Sequence, residues 1–397
     1  MKSRAKIVHV ITNLGPGGAE MMLYKLVAGM DPCRFENEVI SMVDPGAASD
    51  PLRGRGVRVR NLGMSRTSPS PMALFQLIQW LRRLRPAVVQ TWMYHADLIA
   101  GIAARYAGRP PVVWGIHNNN LERNLIKPRT FLVARACARL SGVVPTRIVC
   151  CSHAAQQLHS AFGYAADKIE IIPNGFDVNE FKPDPGARLS VRRELGLFPD
   201  TFIIGLTSRY HPLKDIPNFL DAAARLVARF SNVHFVFCGK GLTQENEELY
   251  SSLDAAGLLR NCHLLGVRGD MPRLLASFDI ATNPSLSEAF PLAVGEAMAS
   301  GVPCVATNTG DSAQLIGDCG RIVPIRDPQA LTEAWAELIS SPDDRRRLGI
   351  AARRRIEKLY SLPAIVRRYE DLYVRILSPP LWSPLVSPLS PAAEHRQ

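Results

Sequence analysis

The clearest structural pattern of the chain lies between Ser285 and Gly310, which reads Ser-Leu-Ser-Glu-Ala-Phe-Pro-Leu-Ala-Val-Gly-Glu-Ala-Met-Ala-Ser-Gly-Val-Pro-Cys-Val-Ala-Thr-Asn-Thr-Gly. Short apolar runs bounded by turn residues lie before it at 278–281 and within it at 304–307. Each run predicts a buried strand. Between them, Pro291 suits the first turn of a helix, and Gly301 ends that helix. The stretch therefore predicts a strand, a loop, a helix and a second strand.

Two carboxylates stand near the start of this predicted helix. Glu288 falls in the loop before it, and Glu296 lies about one and a half turns into it. Because a helix N-terminus presents unpaired N–H groups and partial positive charge, it attracts anions. Both carboxylates can face the same crevice, which predicts a site for an anion that carries hydroxyl groups. For Glu288, a first-turn acid that only complements the helix dipole is the alternative.

The whole chain repeats this alternation of short apolar runs and helical patterns, which predicts α/β architecture with doubly wound parallel sheets. Polar or glycine-bearing loops follow most of the runs. Open parallel sheets bind ligands at the carboxyl ends of their strands, so a cleft between two such sheets is expected. The predicted strands are 6–11, 38–42, 57–61, 87–91, 112–116, 147–151, 169–172, 202–207, 233–238, 263–265, 278–281 and 304–307.

A length of 397 residues suits two domains rather than one core. We predict an N-terminal Rossmann-like domain over 1–172 and a C-terminal one over 173–359, with a polar, proline-containing linker that follows Asp177 and reaches Asp200. A last helix follows over 360–377. The segment 378–397 is rich in Ser and Pro and lacks apolar periodicity, so it is expected to be disordered.

The charge of the chain is uneven. Residues 1–172 contain 22 Lys and Arg against 10 Asp and Glu, whereas the remainder has 25 against 26. The surplus points to an anionic partner of the N-terminal half. Arginines end one predicted helix and recur along an apolar segment at 129–140, a pattern suited to the surface of an anionic membrane. A solvated basic face is the alternative. The arginines are Arg82, Arg83, Arg85, Arg129, Arg135 and Arg139.

The cysteine pattern and hydropathy favour a cytoplasmic enzyme. The eight cysteines include no C-x-x-C pair and lie mostly in apolar runs, so we expect reduced, buried thiols without a zinc site. No segment approaches the roughly 18 apolar residues that a membrane span requires. Contact with a membrane would therefore be peripheral. Nucleic acid is disfavoured as a partner, because basic and aromatic residues are not interleaved.

A glycine loop follows the first predicted strand and ends at a helix. Glu20 stands where a dinucleotide-binding G-x-G-x-x-G motif has its third glycine, so that motif is not satisfied. The bare backbone at Gly17 and Gly18 still allows a diphosphate to approach the helix end. A tight turn with no ligand is the alternative.

Two basic residues, Arg209 and Lys214, share the loop that follows the predicted strand 202–207. Arg as a planar fork and Lys as a point charge can both bind a diphosphate there. Two solvated loop charges are the alternative. No two aspartates are two positions apart, so a D-x-D metal motif is absent. We therefore expect charge neutralisation by cations and helix N-termini, without a metal ion.

His117, at the end of the strand 112–116, is the histidine best placed for a role in the cleft. His95, in a predicted loop at 92–97, and His153 occupy similar positions. A single histidine is more often structural, so only its position distinguishes His117.

With these motifs, the chain resembles the retaining glycosyltransferases of family 4, which have the GT-B fold. Glu288, seven intervening residues and Glu296 are similar to the E-x7-E signature of that family. The surrounding Phe-Pro-Leu, Glu-Ala-Met and Gly-Val-Pro-Cys-Val-Ala agree with it. The glycine loop and the segment 172–177 are similar to its N-terminal loop and interdomain turn. The resemblance extends to about Leu377.

The resemblance implies that a nucleotide-diphospho-sugar, in which the nucleotide is UDP or GDP, binds mainly to the C-terminal domain. The acceptor would bind mainly to the N-terminal domain. Glu296 would hold the ribose and Glu288 the donor sugar, with Phe290 and Leu292 beside it. Arg209 and Lys214 would hold the diphosphate, and His117 would lie close to the donor. No further cofactor and no covalent nucleophile are implied. The last helix would cross back to the N-terminal domain.

The sequence departs from the family pattern at three positions. Asp215, Ala289 and Asp311 each stand where the family often has glycine. The last two bear on how closely the backbone approaches the donor, and hence on which sugar fits.

The prediction from sequence is a metal-independent retaining transferase that extends a polysaccharide or lipid-linked saccharide. A sugar-nucleotide epimerase on the same fold is the alternative enzyme. A nucleic-acid-binding protein is the alternative from another class.

Overall fold

A computed structural model of the chain describes residues 4–15, 17–43, 46, 49–65, 71–121 and 126–378. This part contains thirteen strands in two sheets, and all neighbouring strands are parallel. The two doubly wound sheets predicted from the sequence are therefore confirmed. Apart from its first residue, the predicted tail 378–397 lies outside the described residues.

The first sheet contains seven strands, which are β1 (Ala5–Ile11), β2 (Phe35–Ser41), β3 (Arg58–Asn61), β4 (Val88–Trp92), β5 (Val112–Ile116), β6 (Arg147–Cys150) and β7 (Ile169–Ile171). Their order across the sheet is β3-β2-β1-β4-β5-β6-β7. Neighbouring residues of β1 such as Ile7 and Val8 are both fully buried, so both faces of the sheet are covered. This double burial explains the continuous apolar runs of the central strands.

Six helices connect these strands, namely α1 (Gly18–Gly29), α2 (Ser49–Gly54), α3 (Pro71–Leu84), α4 (Tyr94–Tyr106), α5 (Pro128–Leu140) and α6 (His153–Ala161). Residues of α3, α4, α5 and α6 share one apolar core with one face of the sheet. Residues of α1 and α2 share another core with the opposite face. The first half is thus a three-layer sandwich.

The second sheet contains six strands, which are β8 (Phe202–Thr207), β9 (Val233–Cys238), β10 (Cys262–Leu264), β11 (Ile280–Asn283), β12 (Cys304–Thr307) and β13 (Gly320–Val323). Their order is β10-β9-β8-β11-β12-β13. Its helices are α7 (Pro185–Glu194), α8 (Ile216–Val227), α9 (Glu247–Ala255), α10 (Met271–Ala276), α11 (Leu292–Ala299), α12 (Ser312–Ile316), α13 (Pro328–Ser340) and α14 (Pro342–Arg355). Two further apolar cores cover the two faces of this sheet.

The last helix, α15 (Leu362–Leu377), returns to the first half after a π-helical turn at Ile356–Tyr360. Its buried residues belong to the core that α1 forms with the first sheet. Glu370 fixes it there by accepting the N–H of Asp31 (2.8 Å) and pairing with Arg34 (3.0 Å). Helix α15 therefore packs against the first half of the chain.

The prediction of a linker from after Asp177 to Asp200 is wrong in part, because this segment contains α7. The side chain of Asp184 caps this helix by accepting the N–H of Ala187 (3.1 Å), and Pro185 occupies its first turn. Aspartate followed by proline is a helix-start signal, so the sequence did contain the information.

Three smaller predictions also differ from the structure, and one strand is not predicted. The predicted loop 92–97 is helical from Tyr94, because Met93 alone makes the turn with a left-handed φ of 70°. The strand predicted at 278–281 lies at 280–283, and Pro291 precedes α11 instead of lying in its first turn. Strand β13 is not predicted, since its four residues include Gly320 and Arg321.

Candidate active site

The predicted site residues lie at the carboxyl edges of the two sheets. The strand order changes direction between β1 and β4 in the first sheet and between β8 and β11 in the second. Open α/β sheets bind ligands beside such a change, at the carboxyl ends of the strands. The loops after β8 and β11 contain Arg209, Lys214 and Glu288. The fold thus places these three residues where sheets of this kind bind ligands.

Glu288 and Lys214 form an ion pair at this edge. Nζ of Lys214 contacts Oε1 of Glu288, and their side chains are only 20% and 12% exposed. The same oxygen accepts hydrogen bonds from Nδ2 of Asn283 (3.1 Å) and Oγ of Ser285 (2.8 Å). All these contacts fall on Oε1. Among the described residues, Oε2 of Glu288 has no hydrogen-bond partner and is available to a ligand hydroxyl.

Arg209 lies on the same loop as Lys214 but is not brought against it. Its guanidinium is exposed and forms no ion pair with the described residues. Between the two cations, Nδ1 of His211 accepts the N–H of Leu213 (3.2 Å). Burial lowers the pKa of His211, and the charges of Arg209 and Lys214 lower it further. The loop therefore carries two cations around a neutral imidazole, with Arg209 free to move onto an anion.

Glu296 lies on α11 and is half-buried. Burial raises its pKa to about 7, while Lys25 of α1 lowers it and Glu180 raises it. Lys25 also approaches the ring of Phe181, with its ammonium 5.9 Å from the ring centre. The carboxyl group therefore titrates near neutral pH. It can accept two hydroxyl hydrogen bonds in bidentate fashion only when it is ionised.

His117 packs against Trp92, with ring centres 5.1 Å apart and planes 24° apart. Trp92 in turn stacks on Tyr369 of α15 (6.4 Å). Burial lowers the pKa of His117 to about 4, and Asn174 acts in the opposite direction. Both ring nitrogens are buried and without a hydrogen-bond partner among the described residues. His117 is therefore a neutral ring in a fixed orientation, suited to contact with a ligand and poorly suited to proton transfer.

The two other candidate histidines contribute less to this edge. His95 lies half-buried on α4, where burial lowers its pKa. His153 is the first residue of α6, and its backbone N–H donates to Oδ2 of Asp311 (2.8 Å). His153 thus contacts the second half of the chain through its backbone.

The glycine loop faces the second half of the chain at the start of α1. A β-carbon at Gly18 would lie 3.3 Å from Cδ1 of Leu292, so the two halves approach closely there. A β-carbon at Gly17 would lie 2.2 Å from Oε2 of Glu20. The Glu20 carboxylate therefore covers Gly17, and burial raises its pKa. A diphosphate that approached Gly17 would first have to displace this carboxylate.

Phe290 follows Glu288 in the same loop but points into the core. Its ring is buried and stacks on Phe176, with centres 6.0 Å apart. The structure therefore restricts the predicted binding role of Phe290 to its backbone. Leu292, in contrast, is half-buried and faces the glycine loop.

Four polar residues complete this edge without a role assigned from the sequence. Asn283 and Ser285 hold Glu288, as described above. Nδ2 of Asn119 donates to the backbone oxygen of Glu288 (2.9 Å), and Asp311 binds the start of α6. Each of the four lies in or after a strand at the carboxyl edge, which is the signal that could have identified them.

The cysteines and potential metal ligands form no second site among the residues that the structure describes. All eight cysteines are free, and most are buried, but Cys33 is exposed, so the expectation of buried thiols does not hold there. Among the described residues, no three His, Cys, Asp or Glu side chains are grouped so that they could hold a metal ion. Over the same part of the chain, no helix has the length and apolar character that crossing a membrane requires.

Sequence comparison relates both halves of the chain to glycosyltransferases. Residues 16–180 match the family described as Glycosyltransferase Family 4, and residues 201–341 match the one described as Glycosyl transferases group 1. The putative glycosyltransferase EpsF of Bacillus subtilis is 27% identical, over 85% of this chain and 88% of its own. An Escherichia coli relative, named UDP-Gal:alpha-D-GlcNAc-diphosphoundecaprenol alpha-1,3-galactosyltransferase, is 26% identical over 79% and 81%.

Structural comparison gives the same fold. The Anabaena protein HepE, solved in complex with UDP, superposes with a TM-score of 0.83 at 23% identity, covering 93% of this chain and all of its own. WaaG, a glycosyltransferase involved in lipopolysaccharide biosynthesis, gives a TM-score of 0.70 at 16% identity, over 92% and 99%. The two facing sheets are therefore those of the GT-B fold.

Proposed function

This chain belongs to the family 4, or group 1, glycosyltransferases, and we propose that it transfers a hexose or N-acetylhexosamine from a nucleotide-diphospho-sugar to a lipid-linked saccharide. The proposal includes retention of the anomeric configuration and independence from metal ions. The single observation that carries it is the partly buried ion pair of Lys214 and Glu288 at the carboxyl edge of the second sheet. This pair combines a cation for a leaving diphosphate with a carboxylate for sugar hydroxyls.

In the proposed donor complex, the second half of the chain holds the nucleotide-sugar. The β-phosphate takes Lys214 away from Glu288, and Arg209 swings in from solvent. Oε2 of Glu288 accepts a hydroxyl hydrogen bond from the sugar. The ionised carboxylate of Glu296 accepts the two ribose hydroxyls. UDP and GDP are the proposed nucleotides, and the complexes of HepE with UDP and UDP-glucose favour UDP for testing first.

The proposed reaction needs no covalent attachment to the protein. The bond between the anomeric carbon and the diphosphate oxygen breaks, and the acceptor oxygen forms its new bond on the same face of the sugar. The acceptor proton passes to an oxygen of the leaving phosphate. Lys214 and Arg209 stabilise the charge that develops on the diphosphate, so catalysis comes from positioning and electrostatics. The neutral His117 contacts the donor without exchanging a proton.

For the acceptor, we propose a saccharide on a lipid diphosphate, bound by the first half of the chain. The name of the Escherichia coli relative, which acts on GlcNAc-diphosphoundecaprenol, supports this class of acceptor. A lipid carrier requires the enzyme to work at a membrane. Without a membrane-spanning helix in the described chain, such contact would be peripheral.

The proposed membrane surface is the outer face of α3, α4 and α5, which pack side by side on the first sheet. These three helices contain one acidic residue, Asp97, and it is fully buried. Large apolar side chains are exposed among the arginines of this face: Met72 (71%), Phe75 (54%) and Leu132 (63%). Exposed apolar and basic residues without acids match the headgroup region of an anionic bilayer.

Vesicle flotation tests the membrane part of the proposal. Wild-type protein should float with vesicles of anionic phospholipid at low salt and not with neutral vesicles. Exchanging Arg135 and Arg139 for glutamate should abolish flotation. The same exchange of the exposed Arg346 and Arg354, on α14 of the other half, changes net charge equally and should preserve flotation. Equal losses in both variants, or no flotation of the wild type, would contradict the proposed surface.

Transfer assays with sugar nucleotides and a diphospholipid saccharide test the chemistry. The wild type should form a product whose new linkage has the anomeric configuration of the donor by NMR, with activity unchanged by EDTA. Glu288→Ala and Arg209→Ala should abolish transfer while remaining folded. Full activity in both variants would refute the site assignment. A new sugar nucleotide formed without acceptor would instead identify an epimerase.

A further inference from the structure

Asp311 joins the two halves of the chain at the cleft. It follows β12 in the second half and is only 4% exposed. Its Oδ2 accepts the backbone N–H of His153 (2.8 Å), and its Oδ1 accepts that of Ala154 (2.9 Å). Both donors belong to the first turn of α6, in the first half. A carboxylate at a helix N-terminus gains from charge-assisted hydrogen bonds and from the helix dipole, so this contact is strong.

The backbone around Asp311 also touches the loop that carries Glu288. The N–H of Asp311 donates to the backbone oxygen of Ala289 (3.2 Å). Its neighbour Gly310 has a left-handed φ of 53°, and a β-carbon there would lie 1.9 Å from the backbone oxygen of Glu288. The same oxygen accepts the hydrogen bond from Asn119 of the first half. The Glu288 loop is therefore held from both sides of the cleft.

We propose that Asp311 and Asn119 are positioning residues that place Glu288 only when the two halves of the chain are closed on each other. This inference rests on the proposed function, because Glu288 is the residue it positions. If the halves separate, the contacts of Asp311 with α6 and of Asn119 with Glu288 break together. The Glu288 loop then loses its support from the first half while Lys214 and Arg209 stay in place. Separation of the halves would thus impair the placement of Glu288 for the reaction while leaving the binding of the donor diphosphate intact.

The variant Asp311→Asn tests this, because it keeps the size of the side chain but presents one amide group that cannot accept both N–H bonds. The matched control is Asp327→Asn. Asp327 caps α13 by accepting the N–H of Ala330 (2.9 Å), with the same chemistry inside one half. Asn119→Ala removes the second cross-cleft contact. All three variants are compared with wild type in transfer kinetics and in nucleotide binding.

We expect kcat to fall by ~10- to 100-fold in Asp311→Asn and Asn119→Ala, since a small misplacement of a reacting group has an effect of that size. The dissociation constant for the nucleoside diphosphate should stay within about twofold of wild type. Asp327→Asn should retain kcat. Unchanged kcat in both cross-cleft variants, or equal loss of kcat in the control, would overturn the proposal.

Small-angle scattering gives a readout that does not depend on transfer. Asp311→Asn should increase the radius of gyration of the intact protein, whereas Asp327→Asn should not. If the wild type showed no transfer but Asp311→Asn still expanded the molecule, the proposed function would fail and the closing contact would stand. If the radius of gyration stayed at the wild-type value, the closing role of Asp311 would be refuted whatever the activity.

Discussion

At the scale of single residues, Asp215 illustrates a departure from the family pattern that the backbone explains. Its φ of 47° lies in the left-handed region, where glycine is favoured and other residues are strained. Its Oδ2 is buried without a hydrogen-bond partner among the described residues, and burial raises its pKa. An aspartate here thus carries both backbone strain and a desolvated carboxylate beside Lys214.

Exchanging Asp215 for glycine should stabilise the fold by about 1 kcal/mol at neutral pH, as the left-handed strain is relieved. Because folding raises the pKa of Asp215, the unfolded state loses this proton at a lower pH than the folded state does. The stability of the wild type therefore falls as pH rises from the ordinary pKa of an aspartate to the raised pKa in the folded protein. The gain should therefore be larger at pH 7 than at pH 4 in urea unfolding. Arg109→Gly, at a φ of 57°, should gain stability without that pH dependence. Equal gains at both pH values would contradict a role for the carboxylate.

Glu296 should link nucleotide binding to pH. Its pKa of about 7 in the folded protein lies above the ordinary value of a glutamate, so ionising this carboxyl group destabilises the fold. The stability of the wild type therefore falls as pH rises toward 7, and the full loss is present above that pH. Glu296→Gln should raise stability at pH 8 by roughly 1–3 kcal/mol and change it little at pH 4. The same variant should weaken nucleotide binding about tenfold at pH 8. Thermal unfolding at both pH values, with and without UDP, measures both effects; unchanged binding would remove Glu296 from the ribose site.

At the scale of elements, the regular strands follow from the sequence, whereas the turns between strand and helix do not. The strands at 112–116, 202–207, 233–238 and 304–307 have the bounds that the sequence predicts. They are continuous apolar runs, which only a covered sheet buries on both faces. The one-residue turn at Met93 depends on tertiary contacts. So does the pairing of Lys214 with Glu288, which lie 74 positions apart in the chain.

The last helix should depend on its buried carboxylate. Glu370 is 5% exposed and satisfies the N–H of Asp31 as well as the charge of Arg34. Glu370→Ala leaves the half-buried N–H of Asp31 and the charge of Arg34 without this partner and should lower the free energy of unfolding by about 1–3 kcal/mol. Glu357→Ala, which breaks an exposed pair with Arg353, should cost less than about 0.5 kcal/mol. Similar losses in the two variants would show that Glu370 does not anchor the helix.

At the scale of the whole molecule, the sequence predicts where the candidate binding residues lie in the fold but not how the two halves meet. The positions of Arg209, Lys214, Glu288 and Glu296 at strand ends or on the following helix follow from periodicity and from the family signature. The contact of Asp311 with α6 does not, because a helix start in one domain gives no sign of an acid in another. The surplus of basic residues does predict a charged face on the first half, and the structure adds that α3, α4 and α5 expose no acid.

In the proposed donor complex, the cleft binds a nucleoside diphosphate through Lys214. Thermal unfolding against a panel of nucleotides and sugar nucleotides tests it most directly, since a ligand at one hundred times its dissociation constant stabilises the fold by about 2.7 kcal/mol. We predict that UDP or GDP, and their sugar conjugates, raise the melting temperature of the wild type. Lys214→Met should lose this shift, whereas the control Lys358→Met, at an exposed position in the π-helical turn that follows α14, should keep it. No shift with any nucleotide, or an unchanged shift in Lys214→Met, would contradict the account.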